Sequence, residues 1–239
     1  MRRSDVNKGR IAAVGYDTGV VRILGLGETR LEMASVFKAH DESVVKCKYA
    51  PAQTMMVTAS SNGELFFFEV NGFSDLGKYE PLCLVQLPES PCVTDLKWDG
   101  TSSKILVSCA SGWVYELPKP NPANIQNRET FLVEDYPMRS WKIRMMEFQM
   151  KKNQKKDEEE EERKRRMRLR GELPPEEEEE EEDWEPDPIT VVTYMNDESD
   201  RFLIASEGQF GGYIYLCKFG ENRPQQAYEI PVGTKVTFL

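Results

Sequence analysis

The single histidine and the five cysteines are the side chains of this 239-residue sequence best suited to nucleophilic, acid–base or metal chemistry. His40 has no Ser or Cys nucleophile motif with which to build a catalytic triad, so we expect a structural role for it. The cysteines are odd in number and form no CxxC pair, which predicts free thiols in a reducing compartment. They are Cys47, Cys83, Cys92, Cys109 and Cys217. The sequence therefore predicts no catalytic residue, no metal site, no cofactor and no small-molecule substrate.

Residues 176–187 form an acidic tract with eight Glu, two Asp and no basic residue, which equals the net charge of −10. The rest of the chain is near neutral, so we expect no basic face for nucleic acid. The tract lacks the spaced oxygen ligands of a calcium site and is expected to be a disordered, solvated linker. The alternative is a contact with a basic protein surface through Glu178, Glu180 and Trp184.

No apolar stretch approaches about 18 residues, so no membrane-spanning segment and no membrane partner are predicted. The glycine-rich run at 208–212 lacks the Lys and the following helix of a phosphate loop, and we interpret it as a turn.

The stretch that must position His40 runs from Phe37 to Val70 and has the pattern of three short antiparallel strands. Asn62-Gly63 between the second and third strands is a strong hairpin signal. Ala39-His40 and Phe68-Glu69 stand where a WD repeat has Gly-His and Trp-Asp, so the stretch resembles one WD40 repeat. We predict that His40 bonds a turn residue such as Asn62. Phe68 has no N–H donor, so the full hydrogen-bond network of a WD repeat is not expected.

The pattern recurs along the chain, with hairpin glycines at Gly19, Gly63, Gly112 and Gly212. The first two intervals, 44 and 49 residues, match a four-stranded blade, and the third is 100 because of an insertion. The fold class is therefore all-β: a partial WD40 β-propeller of about three and a half blades, whose first blade lacks its first strand. The predicted outer strand of the third blade is Thr130–Val133. A fragment of a longer protein is expected, and an irregular small propeller is the alternative.

The predicted domains are WD40 blades at 1–135, a helical and acidic insertion at 136–188, and a blade with the start of another at 189–239. A charged helix is expected from about Arg139 to Leu169, with i,i+4 pairs between Glu159–Glu162 and Arg163–Arg166. Its apolar face would dock on the propeller or on a partner protein. That face consists of Trp141, Met145 and Phe148.

The insertion and the blades together resemble the WD-repeat cilia- and flagella-associated proteins. The resemblance rests on FKAHDESVVKCKYAPAQTMMVTASSNGELFFFEV, LKWDGTSSKILVSCASGWVYELPKP, MRSWKIRMMEFQMKKNQKKDEEEEE and EEEEEEEDWEPDPITVV. It implies a non-enzymatic scaffold of the ciliary or flagellar axoneme that organises dynein and tether complexes and motility. The implied partners are inner dynein arm or tether components and microtubule-associated proteins, and the implied location is the cytoplasm and cytoskeleton, in the axoneme. Members of that family continue from tandem propellers into coiled coil.

A second function remains open at this point. A nuclear WD-repeat adaptor could bind basic proteins through the acidic tract. Binding of that kind should depend strongly on salt.

Overall fold

The computed structural model describes residues 11–26, 30–71, 78–124, 129–143, 162–163, 165–167, 170, 188–196, 200–207, 212–230 and 236. The chain divides into two compact units, residues 1–142 with 187–239, and residues 143–186. The predicted domain boundaries stay a prediction.

The larger unit contains four antiparallel sheets in which each strand pairs with the next along the chain. Sheet 1 has three strands: β1 (Ile11–Gly15), β2 (Val20–Leu26) and β3 (Leu31–Lys38). Sheet 2 has β4 (Val44–Tyr49), β5 (Met55–Ser60), β6 (Glu64–Asn71) and β7 (Lys78–Gln86). Sheet 3 has β8 (Val93–Trp98), β9 (Lys104–Cys109), β10 (Trp113–Pro118) and β11 (Arg139–Lys142). Sheet 4 has β12 (Ile189–Tyr194), β13 (Arg201–Ser206), β14 (Gly212–Lys218) and β15 (Gln226–Ile230).

Sheets 2, 3 and 4 repeat the same irregularity. The pairing between the first and second strand of each sheet skips one residue, which is Val45, Thr94 or Thr190. A bulge bends its strand and increases the local twist, so these three first strands curve alike. The recurrence confirms that the sequence repeats are structural repeats. Sheet 1 has three strands among the described residues, and the incomplete first blade stays a prediction.

Three of the predicted hairpin glycines have the expected conformation. Gly19, Gly63 and Gly112 have φ of +78°, +82° and +79°, a region that side chains with a Cβ rarely adopt. The prediction for Gly212 is wrong, because this residue begins β14 and has no left-handed φ. Glycine is needed there for space, since a Cβ would lie 2.2 Å from the carbonyl oxygen of Ser206.

The predicted outer strand of the third blade is also wrong. Residues Thr130–Val133 do not pair with β10; its partner is β11. The connector instead lies against β7 of sheet 2, where the amide of Leu84 donates to the carbonyl of Phe131 at 2.7 Å. The amide of Val133 donates back to the carbonyl of Leu84 at 2.9 Å. This segment therefore ties the loop of sheet 3 to the outer edge of sheet 2.

The charged helix does not begin at Arg139, because Arg139–Lys142 is strand β11. Burial alternates from residue 140 to 143, with Trp141 and Ile143 buried and Lys142 exposed between them, which is the period of a strand rather than of a helix. In the smaller unit, residues 162–163 and 165–167 are helical. Arg166 donates to Glu162 at 2.8 Å, which confirms one of the predicted i,i+4 pairs.

Apolar side chains fill the spaces between the sheets of the larger unit. Between sheets 1 and 2 the core includes Val21, Ile23, Met56 and Phe68. Between sheets 2 and 3 it includes Leu65, Phe67, Leu96, Ile105, Val107 and Leu117. The sheets therefore pack face to face in chain order, as the blades of a propeller do.

Candidate functional site

His40 lies in the linker between sheets 1 and 2 and is held by two side chains of sheet 2. Its Nδ1 is 3.0 Å from a carboxylate oxygen of Glu64, and its Nε2 is 2.8 Å from the hydroxyl of Thr58. A carboxylate can only accept, so Nδ1–H donates to Glu64 and the neutral ring accepts from Thr58. The linker is fixed as well, because the amides of Ala39 and His40 donate to the carbonyl of Gly19 at 3.0 and 3.2 Å. The cluster thus joins sheet 1, the linker and sheet 2.

Burial controls the protonation of this histidine. Removal of the ring from water lowers the pKa of His40 below 6.5, and Glu64 offsets part of that effect. The ring is therefore neutral at physiological pH. It contacts no Ser or Cys nucleophile, so the geometry gives it a role in joining the strands.

Asn62 and Phe68 have other partners than they would have in the hydrogen-bond network of a WD repeat. Asn62 accepts a hydrogen bond from the hydroxyl of Ser60, so the predicted bond between His40 and Asn62 is wrong. Phe68 packs against Phe37 with ring centroids 4.7 Å apart, and the contact joins β6 to the outer strand of sheet 1. The partners that sequence reasoning missed are Thr58 and Glu64. The contact with Glu64 could have been predicted from its position, because it lies two residues after Asn62, at the start of the third strand.

A second polar cluster joins sheets 3 and 4 around Glu116. This side chain is only 4% exposed and accepts from Lys104 at 2.9 Å and from Arg139 Nε at 2.7 Å. The hydroxyl of Tyr194 in sheet 4 donates at 3.2 Å to Oε1 of Glu116, the oxygen that Lys104 also contacts, while Arg139 contacts Oε2. Arg139 also donates at 2.8 Å to Asp200, which directly precedes β13 of sheet 4, and this contact lowers the pKa of that carboxyl. Glu116 is therefore the centre of a charged contact between two blades.

Trp141 is a core residue of the same interface. Its indole is 4% exposed, packs edge-on against Phe202 and donates to the carbonyl of Glu221 at 2.9 Å. The side chain is therefore not available for a partner protein, and the predicted binding role for Trp141 is wrong. Met145, Phe148, Glu178, Glu180 and Trp184 lie outside the described residues.

A cavity of about 300 Å³ opens beside the Glu116 cluster. Its walls are mostly apolar, and its lining residues are Lys104, Glu116, Pro118, Pro137, Met138 and Arg139. Both cations are already paired with Glu116, so the cavity offers no free charge that would select a ligand.

Three of the thiols, those of Cys47, Cys83 and Cys109, lie in surroundings that suppress their reactivity. Burial raises the pKa of Cys47 to about 11 and that of Cys83 and Cys109 to about 12. A high thiol pKa means little nucleophilic thiolate at neutral pH. Among the residues with described positions, no three His, Cys, Asp or Glu side chains converge as metal ligands. Within the same ranges, no helix has the length and apolar composition to cross a bilayer.

Repeated antiparallel sheets, hairpin glycines and a structural histidine between sheets define a partial WD-repeat β-propeller. Its polar clusters join neighbouring blades to one another.

Comparison of the sequence with curated proteins gives a more particular result. The chain is 25% identical over 170 residues to cilia- and flagella-associated protein 44 of Mus musculus, and the match covers 59% of this chain and 9% of that protein. It is 28% identical over 123 residues to cilia- and flagella-associated protein 44 of Chlamydomonas reinhardtii, with 46% of this chain and 7% of that protein covered. These matches support a distant relationship to those proteins. The chain spans less than a tenth of the length of either relative, and no family model matches it.

The fold also resembles a solved structure. Raptor from Chaetomium thermophilum superposes with a TM-score of 0.53 at 14% identity, over 92% of this chain and 15% of that one. At this identity the likeness concerns the fold alone.

Proposed function

We propose that this chain is a non-enzymatic structural module of the ciliary or flagellar cytoskeleton. The observation that carries the proposal is the match to two cilia- and flagella-associated proteins, which extends across 170 residues in the longer alignment. The fold supports it, because the polar clusters of the described residues connect strands and blades. A propeller of this kind presents its loops to other proteins from a rigid frame.

The finer form of the proposal concerns the axoneme. The module would help to organise inner dynein arm and tether complexes and thereby the beat of the organelle. Its partners would be other axonemal proteins, including microtubule-associated ones.

The insertion is the part of the chain that we propose to contact those partners. Met145, Phe148, Glu178, Glu180 and Trp184 would supply the contacts, with apolar side chains and acidic charge in one segment. Trp141 is not part of this set, because it is buried in sheet 3.

Localisation tests the proposal directly. The tagged 239-residue chain is expressed in ciliated cells, which are then extracted with detergent. Retention of the tag in the axoneme is expected. Accumulation in the nucleus would contradict the proposal and favour an adaptor that binds basic proteins.

A replacement variant tests the insertion. Residues 144–186 are exchanged for a Gly-Ser linker of equal length, which leaves strand β11 and the buried side chain of Ile143 in place. Thermal melting should remain that of the parent chain, while proximity labelling of inner dynein arm components should be lost. Unchanged labelling would contradict the proposed role of the insertion and would mean that the sheets bind the partners.

A further inference from the structure

The connection between β10 and β11 carries a segment that lies along the outer strand of sheet 2. We name residues 130–133 the strap. The amide of Leu84 in β7 donates to the carbonyl of Phe131 at 2.7 Å, and the amide of Val133 donates to the carbonyl of Leu84 at 2.9 Å. The strap runs parallel to β7 at this point, with Leu132 opposite Leu84. It therefore pairs with the sheet edge in the way that an added strand would.

The side chains of the strap contact both faces of sheet 2. The ring centroid of Phe131 lies 5.9 Å from that of Phe66, which packs against the core between sheets 1 and 2. Val133 packs against the core between sheets 2 and 3. Leu132, between them, is 40% exposed. Backbone pairing combined with alternate apolar side chains is the means by which sheet edges bind extended peptides.

Two features of the strap indicate that it can leave this edge. Phe131 and Asp135 have φ of +57° and +53°, a region that is costly for residues with a Cβ. The connection that contains the strap has 20 residues, whereas the corresponding connections in sheets 1, 2 and 4 have 4, 6 and 7. Connections longer than about 12–15 residues inside a domain usually serve a function. Release of the strap would relieve the backbone strain, and the long connection permits it.

We propose that the edge of sheet 2 at Leu84 binds an extended apolar segment of a partner protein, and that the strap occupies this site until the segment displaces it. The segment would run parallel to β7. An aromatic residue and a β-branched residue, two positions apart, would take the places of Phe131 and Val133. This site consists of residues of the larger unit alone, and it does not depend on the ciliary assignment.

A peptide supplied in trans tests the site. In the 239-residue chain, residues 129–135 are exchanged for a Gly-Ser linker of equal length, and the probe is a fluorescein-labelled peptide of the sequence removed, ETFLVED. Fluorescence anisotropy should show binding to this variant with a Kd of about 10–100 µM. Binding to the parent chain should be at least about tenfold weaker, because the strap competes at high local concentration. Absence of binding to the variant, or equal binding to both chains, would overturn the proposal.

Val133→Pro is the second variant, for use if circular dichroism shows that the exchanged chain fails to fold. Proline removes the N–H that donates to Leu84 and alters no other residue of the strap. This variant should bind the ETFLVED peptide more tightly than the parent chain does. Equal affinity would contradict the proposal.

Substituted peptides test whether the site recognises the side chains of the strap. A peptide with Phe131→Ala should bind the exchanged chain at least about tenfold more weakly, because it lacks the ring that contacts Phe66. Leu132→Ala is the matched control, since this side chain is the exposed one, and it should change the Kd by less than about threefold. Equal losses for the two peptides would overturn the assignment of the site to this edge.

Hydrogen exchange tests displacement in the unaltered chain. An excess of unlabelled ETFLVED peptide should speed exchange of the strap's own amides, because a displaced strap loses its hydrogen bonds to Leu84. The Phe131→Ala peptide at the same concentration should have no such effect. An unchanged exchange rate with the ETFLVED peptide would mean that the strap is a fixed part of sheet 2, and would overturn the proposed displacement.

Discussion

The buried carboxylate of Glu116 gives the sharpest prediction about stability. We consider Glu116→Gln, which keeps the volume and removes the charge. Glu116 accepts from Lys104 at 2.9 Å and from Arg139 Nε at 2.7 Å, and its own side chain is 4% exposed. Charge-assisted hydrogen bonds contribute about 1.5–3 kcal/mol each, and breaking a buried pair costs about 3–5 kcal/mol. The two cations are 21% and 48% exposed, so water recovers part of that loss.

We therefore expect Glu116→Gln to lower the free energy of unfolding by about 2–3 kcal/mol. For a chain of this size that corresponds to a fall in Tm of roughly 4–12 °C. Urea denaturation and thermal melting followed by circular dichroism measure both quantities. Glu80→Gln on the exposed side of β7 is the control and should change stability by less than about 0.5 kcal/mol.

A double-mutant cycle with Arg139→Met tests the cause. If Glu116 acts through Arg139, the two effects are not additive, with an interaction energy of about 1 kcal/mol or more. A loss of stability equal to that of Glu80→Gln would refute the reasoning, because Glu116 would then be satisfied by solvent.

Three further predictions concern sheets 1 and 2 and the turns. Glu64→Ala should lower the free energy of unfolding in urea by about 1–2 kcal/mol, because it leaves Nδ1 of His40 without its acceptor. Its effect should exceed that of Asn62→Ala. A larger effect of Asn62→Ala would favour Asn62 as the partner of His40. Gly63→Ala should lower the Tm more than Gly220→Ala. Both glycines have positive φ, but only at Gly63 would the added Cβ contact another residue, Pro91, at 3.0 Å. Equal losses of Tm would mean that backbone strain alone is responsible. Because the pKa of His40 is lowered in the folded chain, the unfolded chain binds the proton more readily, and stability should fall as pH drops through 6.5. His40→Gln should remove that fall. The same pH dependence in the variant would mean that other groups cause it.

The strands and hairpins were accessible from the sequence because their signals are local. Alternation of apolar residues in Val44–Tyr49 and the turn at Asn62-Gly63 depend on neighbours within a few positions, and the structure confirms both. The relationship to ciliary proteins was expected from the same stretches and is supported by the two curated matches.

The errors fall where a residue has two compatible local interpretations. Trp141 suits either the apolar face of a helix or the buried face of a short strand, since the pattern over four residues separates them poorly. In the structure Trp141 pairs with Val114 of β10, which makes its segment a strand. Thr130–Val133 has good strand propensity, but its pairing partner is Leu84 in another sheet, which no local pattern reveals.

The sequence alone determined the repeat, the number and order of most strands, and the glycines that permit the hairpins. Tertiary structure decided which side chains meet. His40 bonds Glu64 rather than Asn62, and Glu116 gathers cations from two strands and a tyrosine from the next sheet. The physical reason is that backbone preferences act over a few residues, whereas a buried polar group takes whichever partner the packing of the sheets brings within about 3 Å of it.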